Sequence, residues 1–439
     1  MSSSPQPPRT WRPLLAGEEQ ARAVESAVAI ARDLADPSAV LGAAVPPRAR
    51  GFRASAASGL AGEALFHAQL ERCRPGEGFG ERGLECIEKA IATIASAETV
   101  PDLYIGFTGV AWAVELLRES LLDVADDEDP NHEIDDALRR LLGHSPWRRP
   151  YDLTSGLVGF AVYALRRLPR PAATECLELL VDRLAEVAVE RPEGLSWFTA
   201  ADELAGETRD FFSEGNENLG VAHGVPGVIA VLARIEAAGV AAAKAGALLR
   251  GAVGWLLAQK MTGGDSIFPT AVAPNVEVKY SRAAWCYGDP GVAATLLVAA
   301  RAAADASWES EALAFAHHSA RRPEDTMGVR DACLCHGAAG LAHLFNRMYQ
   351  ATGDGVLREA ALRWYRHVLE QRRPGVGVGG FLGWGAADAG ELAWNPDPSL
   401  LTGAVGIGLA LLAGACPDEP CWDELLLVSP IAPPPARRR

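Results

Sequence analysis

The first thirty residues lack a continuous apolar stretch. Arg9, Arg12, Glu18, Glu19, Arg22 and Glu25 interrupt them, so nothing there reads as a secretory signal. Clustered basic residues are missing too. The chain has 41 Lys and Arg against 56 Asp and Glu, a net charge of -15. That balance argues against a nucleic-acid partner, whose phosphates need grouped Lys and Arg, and suits a neutral or cationic ligand better than an acidic one. The eight cysteines are scattered, with none of the dense spacing of a disulfide framework. They predict reduced thiols in a cytoplasmic protein. One long uncharged run occurs, Leu400 to Cys416, close to membrane-spanning length. Gly403, Gly406, Gly408 and Gly414 interrupt it and Pro417 ends it, so a buried helix is expected and no transmembrane segment.

What is present is a large core and a repeat. Hydrophobic residues make up 49% of the chain and charged residues 22%, a globular composition. A Gly-x-x-Gly element followed by an apolar stretch occurs seven times, with first glycines at 59, 106, 156, 224, 288, 337 and 403. Quasi-regular repetition of this kind signals a closed or stacked array. Val110, Ala113, Val114, Leu117 and Leu121 follow one glycine pair at helical spacing, as do Val228, Val231, Leu232 and Ile235. More charged helical stretches alternate with these, for example Leu357 to Gln371, with Leu357, Ala361, Trp364, Tyr365 and Val368 on one face. Seven apolar helices wrapped by seven amphipathic ones predict an all-α toroid, a double ring closed as an α/α barrel. It should span residues 20–425, leaving 1–19 and 426–439 as disordered ends. The intervals Pro192–Asn218 and Pro374–Pro398 are weakly periodic and read as long loops over one mouth.

Three residues of ligand type abut the fifth and sixth glycine pairs: Cys286 in Trp285-Cys286-Tyr287-Gly288, and Cys335 and His336 before Gly337. Thiolate and imidazole are the usual zinc ligands, and three protein ligands with one open position is the catalytic arrangement. A lone buried cysteine is more often a small hydrophobe, and Cys333, set back from the glycine pair, is read that way. His343, one heptad after His336, is read as an inner-helix residue.

The segments Ala222-His223-Gly224-Val225-Pro226-Gly227, Trp285-Cys286-Tyr287-Gly288-Asp289-Pro290-Gly291 and Cys335-His336-Gly337 resemble the signature motifs of the lanthionine synthetase C family. The resemblance extends in order through all seven repeats. It implies a double ring of seven plus seven helices around a zinc site. In that family, bacterial members add Cys thiols to dehydroalanine and dehydrobutyrine in a precursor peptide, forming lanthionine and methyllanthionine. By the same resemblance Cys286, Cys335 and His336 are the zinc ligands and His223 the acid/base histidine. Asp152, Arg282 and Tyr287 line the active site.

The chemistry is coherent on its own terms. Two thiolates and a neutral imidazole cancel the charge of Zn²⁺, a shell suited to holding a substrate thiolate. Addition to a dehydro residue leaves an enolate to protonate, for which His223, with an ordinary pKa of about 6.5, is suited. Simpler roles stay open: Asp152 as a helix N-cap, Arg282 as an ion-pair partner, Tyr287 as core. The expected partner is a precursor peptide, leader plus core, dehydrated by a separate enzyme because no kinase or dehydratase region is evident. Addition of glutathione or another small thiol to dehydroamino acids in proteins is the nearest rival. A non-catalytic peptide-binding scaffold and an α/α-toroid carbohydrate enzyme, which would need paired carboxylates, stand further off.

Overall fold

The computed structural model describes residues 11–35, 50–118, 120–122, 129–204, 206–386 and 391–429. Each glycine pair opens an inner helix: Leu60–Cys73, Phe107–Leu117, Leu157–Arg166, Val225–Ala237, Asp289–Ala303, Ala338–Thr352 and Ala404–Ala415. Each of these packs on the next, and the last packs on the first, so the ring closes. The predicted toroid is therefore what the chain forms. Inner helices are largely buried because both faces are covered; every residue of Ala404–Ala415 is buried. No helix among the described residues is long and apolar enough to cross a membrane.

Six outer helices follow their inner partners: Phe79–Ser96, His132–Leu142, Pro171–Glu186, Ala242–Ala258, Ala306–Arg321 and Gly355–Gln371. They are amphipathic, and the predicted stripe of Leu357, Ala361, Trp364, Tyr365 and Val368 is buried in the last of them. Two have clear start signals. Asp305 accepts from the N–H groups of Ser307 and Trp308, and Asp354 from those of Val356 and Leu357. The seventh outer helix comes from the opposite end of the chain. Gly17–Leu34 packs on Ala404–Ala415, and Trp11 before it is buried and donates from Nε1 to the Ala413 carbonyl at 3.1 Å. The expected disordered end of 1–19 is thus wrong from Trp11 onward, because the last inner helix would otherwise lack a cover. Residues 1–10 lie outside the described residues.

The C-terminal boundary moves as well. A short 3-10 turn, Trp422–Leu426, and the two residues after it bring a buried run, Leu425 to Val428, into the barrel from the end opposite the glycine turns. Tyr104 Oη donates to the Leu425 carbonyl at 2.7 Å and Trp285 Nε1 to that of Leu426 at 2.9 Å. Asp423, fully buried, meets His343 Nε2 at 2.7 Å and the Arg347 guanidinium. The tail is a plug, and the fold runs to 429 and not 425. His343 is the inner-helix residue expected, held by this plug.

Two further expectations change. Cys73 and Cys416 form a disulfide, so the thiols are not all reduced. They are 343 residues apart in sequence, and only ring closure brings the C-terminal ends of the first and last inner helices together. The two intervals read as loops carry strands, two in each, and those of the first join a sheet with two strands outside it. Strands β1 (Ala188–Arg191), β2 (Gly194–Thr199), β3 (Asn216–Asn218) and β4 (Ala271–Val272) form one antiparallel sheet in that order. Strands β5 (Gly383–Ala386) and β6 (Leu392–Asn395) form a hairpin; residues 387–390 of that interval are outside the described ones.

Burial opposes the charge on Asp423, but Arg347 and His343 outweigh it and hold the carboxyl at about 2. Its contribution is therefore full at neutral pH and is lost only as pH falls from its unfolded value toward about 2. Asp423→Ala would leave the buried Arg347 only the half-exposed Glu419 as an anionic partner and should cost about 3–5 kcal/mol. Urea unfolding at pH 7 measures it, and a wild-type midpoint would show that the tail does not help hold the ring.

Candidate metal and active site

The same turn precedes all seven inner helices, and it explains the glycines. A Cβ on the first glycine of a pair would strike the backbone of the residue six positions earlier, as Gly224 would strike Asn218. On the second glycine it would again meet a carbonyl six residues back, as Gly291 would meet that of Trp285. Both approaches are closer than 3.0 Å, which no larger residue tolerates. The turns are sewn to one another around the barrel mouth. Ala57 N donates to the Tyr104 carbonyl at 2.9 Å, Leu153 to Ala222 at 3.2 Å, Cys286 to Cys335 at 3.3 Å and Cys335 to Leu401 at 2.8 Å. Leu400 N closes onto the Ala57 carbonyl at 2.7 Å.

This register decides where side chains go. The residue three before each first glycine is Ala56, Leu103, Leu153, Val221, Trp285, Leu334 or Leu400, and all are buried. The residues one and two before it stand at the mouth in the repeats that carry the site, whereas Tyr104, two before Gly106, is buried against the tail. At the mouth the third to sixth repeats bring Thr154 and Ser155, His223, Cys286 and Tyr287, and Cys335 and His336 to neighbouring turns.

Ligand atoms of Cys286, Cys335 and His336 all lie within 4.8 Å of one another. Two thiols and an imidazole are a donor set for a soft, tetrahedral ion such as zinc, with one position left over. Cys286 is pulled well below the ordinary thiol value by the hydrogen bond from Cys335, helped by His336 and by the charge of Arg282, against the effect of burial. Asp331, Cys333 and His336 form a second such group. Its members are engaged in holding the loop. Asp331 Oδ1 accepts from Cys333 N at 3.1 Å and Oδ2 from Trp384 N at 2.9 Å, while Cys333 Sγ accepts from His336 N at 3.5 Å. Burial pushes the Cys333 thiol up, Asp331 adding to it. The buried structural role expected for Cys333 fits these contacts.

The structure brings His223 and Asp152 together. His223 Nδ1 and Asp152 Oδ2 are 2.6 Å apart, and Thr154 Oγ1 donates to the same oxygen at 3.0 Å. The other oxygen, Oδ1, accepts from Ser155 N at 2.8 Å. Asp152 therefore closes the turn before the helix and is not its N-cap, which is Gly156, and it orients the imidazole as well. Burial disfavours the charged ring, but the hydrogen bond and charge of Asp152 outweigh it and raise the His223 pKa above its usual value. The His223 side chain is still 44% exposed, open at the mouth. Tyr287 has its ring centroid 6.3 Å from that of His223, and its hydroxyl accepts from Asn218 Nδ2 at 3.0 Å. Burial pushes the phenol up to about 12, so it stays protonated. Arg282 is exposed at the rim and has no ion pair among the described residues.

Sequence reasoning missed Asn218, Asp331, Thr154 and Tyr151. Tyr151 Oη donates to the Trp197 carbonyl at 3.1 Å and lies 3.3 Å from that of His223. A signal existed for two of them. Asn218, Asp331 and Asp397 each stand six before a first glycine and accept, through Oδ1, the N–H two residues on.

The profile of the family described as lanthionine synthetase C-like protein matches residues 52–427. Among solved structures, nisin cyclase is similar, with a TM-score of 0.70 at 18% identity over 86% of this chain and 92% of its own. No curated protein matches in sequence.

The purified protein should carry about one zinc per chain, and Cys286→Ala and Cys335→Ala should each remove most of it. Elemental analysis by mass spectrometry measures it. The barrel should stay helical by circular dichroism, because a core this large does not rest on one ion. Full zinc in the double variant would move the site elsewhere.

Proposed function

The chain belongs to the lanthionine synthetase C-like family, and within it we propose that this protein is a zinc-dependent cyclase that forms thioether rings in a dehydrated precursor peptide. One observation carries the reading: the Cys286, Cys335 and His336 donors, within 4.8 Å of one another, sit one turn away from the bonded His223–Asp152 pair. A soft-metal donor set beside a positioned proton donor is what addition of a thiol to an activated double bond requires.

Cys286, Cys335 and His336 would hold the ion. Zinc bound there supplies a means of keeping a substrate thiol deprotonated and nucleophilic at neutral pH. In the reaction the sulfur of a peptide cysteine bonds to the β-carbon of dehydroalanine or dehydrobutyrine. The π pair moves toward the carbonyl as an enolate, and a proton returns to the α-carbon. Atoms balance within the peptide, whose mass does not change.

His223 is the acid of this reading. Its Nδ1 is held by Asp152, which fixes the tautomer and leaves Nε2 to deliver the proton. The raised pKa keeps more of it charged near neutrality. Thr154 and Ser155 keep Asp152 from rotating. Tyr287 takes its hydrogen bond from Asn218 on the oxygen, so its own proton is free for a developing oxyanion. Arg282, whose charge reaches Cys286 and Cys335, would favour the same negative charge. The partner is a dehydrated peptide with a leader, made by a separate dehydratase, and the reaction belongs to the cytoplasm.

His223→Ala separates proton transfer from metal binding. It should keep zinc and peptide affinity yet lose about 10²–10⁴-fold in ring formation. Free thiols are counted by alkylation and mass spectrometry after incubation with a dehydrated peptide. Wild-type rates in this variant would transfer the acid role to Tyr287 or water, and loss of zinc would make His223 a ligand.

A further inference from the structure

We propose that the outer face of the β5–β6 hairpin seats a large apolar side chain of the substrate peptide, making Trp384, Trp394 and Leu392 determinants of specificity. The proposal rests on the peptide-cyclase reading above and deepens it.

The register pairs Trp384 with Trp394 and Ala386 with Leu392, so alternation puts both indoles and Leu392 on one face. Trp384 N donates to Asp331 and not across the hairpin. The two tryptophans thus form a non-hydrogen-bonded pair, the kind with the closest side chains. Their centroids are 5.4 Å apart with ring planes at 64°. The Arg330 guanidinium lies 5.3 Å from the Trp384 centroid and covers part of that ring. The rest of the face is bare: Trp394 is 50% exposed and Leu392 65%. A two-stranded sheet that covers its apolar face with nothing is costly to keep unless something uses it.

Its place in the fold says what. Of the large hydrophobic residues exposed among the described ones, all but Ile91 lie in segments that lead from an outer helix to the next inner helix, the connections around the mouth. The hairpin is tied to the metal-site turn by the Asp331 carboxylate, which binds Trp384 N and also belongs to the group with Cys333 and His336 within 4.8 Å. A peptide whose thiol reaches Cys286 and Cys335 therefore passes this face. The face is also the wrong size for a second copy of the chain. Two aromatic side chains bury about 150–250 Å² each, well short of the roughly 1,200 Å² of a stable protein interface. One apolar side chain, aromatic or long aliphatic, fits it.

The test uses two short peptides with one cysteine and one dehydroalanine, identical except for Phe or Ser beside the cysteine. A second pair keeps serine in place of dehydroalanine and cannot react. Wild-type protein should bind the unreactive Phe peptide about tenfold more tightly by calorimetry, and the reactive pair should differ in KM more than in kcat. Trp394→Ala should bring the preference to about twofold or less while zinc content and kcat for the Ser peptide hold, and Trp394→Phe should restore most of it. Leu392→Ser, outside the aromatic pair, should weaken the preference even if Trp394→Ala does not fold. Equal wild-type binding of the two unreactive peptides overturns the proposal, as does a preference that survives both Trp394→Ala and Leu392→Ser. A change of oligomeric state in these variants with the preference intact would make the face a contact between copies. Binding is measured without reaction, so a protein that prefers Phe but closes no ring leaves the docking face standing and refutes the cyclase reading instead.

Discussion

Everything at the mouth of this barrel depends on one steric fact: the backbone six residues back occupies the space where a Cβ would sit on each paired glycine. The turn it creates is the same in seven places, whether or not the repeat carries chemistry. Because the close approaches recur, residues three before each first glycine are buried in every copy. Offset three is always apolar, offset six in three copies is an Asn or Asp that closes the turn, and offsets one and two carry the site residues of the third to sixth copies, while Tyr104 at offset two of the second is buried on the tail. Hydrogen bonds between neighbouring turns then convert equal offsets into spatial adjacency. Cys286 and Cys335, 49 residues apart, become neighbours because both stand two before a glycine and Cys286 N bonds the Cys335 carbonyl.

That arrangement separates chemistry from architecture at single-residue resolution. Trp285 and Cys286 are adjacent, yet the indole points inward and is held by the Leu426 carbonyl while the thiol joins the ligand group. Asp152 does both tasks, one oxygen on the turn and the other on His223. A substitution there would disturb the loop and the imidazole together, so loss of activity at Asp152 is weaker evidence for a chemical role than loss at His223. Asn218 is similar: Oδ1 closes its turn on Gly220 N while Nδ2 holds Tyr287.

How much of this the sequence disclosed follows from the range of the interactions. The glycine turns are local, so seven copies were visible as a pattern, and with them the ring and the residues abutting each pair. Closure of the ring is not local. The helix that covers Ala404–Ala415 lies near the start of the chain, and Cys73 meets Cys416 across 343 residues. No periodicity within a window reports either. The tail was misread for another reason: Leu425-Leu426-Leu427-Val428 is a short apolar run before a Pro-rich end, too brief for a helix or strand signal, and its burial depends on a barrel that must already exist. The β5–β6 hairpin escaped because Gly383, Gly385 and both tryptophans break the alternation expected of a strand with one buried face. Asn218 and Asp331 were legible in principle, had the seven turns been aligned back to the sixth position.

The two ends of the barrel are electrostatically unlike, which bears on why the site sits where it does. All seven inner helices begin at the mouth, so their positive N-terminal ends gather around the cysteines and Asp152. None of the seven has a basic residue in its first turn to duplicate that charge. Their last turns carry Arg72, Arg166, Arg234 and Arg301 where the negative ends emerge. Arg347, in the sixth inner helix, joins them through Asp423 of the tail. The far end is thereby neutralised and plugged, whereas at the mouth only Glu63 and Asp289 answer the helix ends and the other five first turns carry no acidic residue. A thiolate is favoured at that end of the ring and would be disfavoured at the other. The common direction of the inner helices, itself a product of the repeated glycine turn, assigns the chemistry to one mouth before any individual ligand is considered.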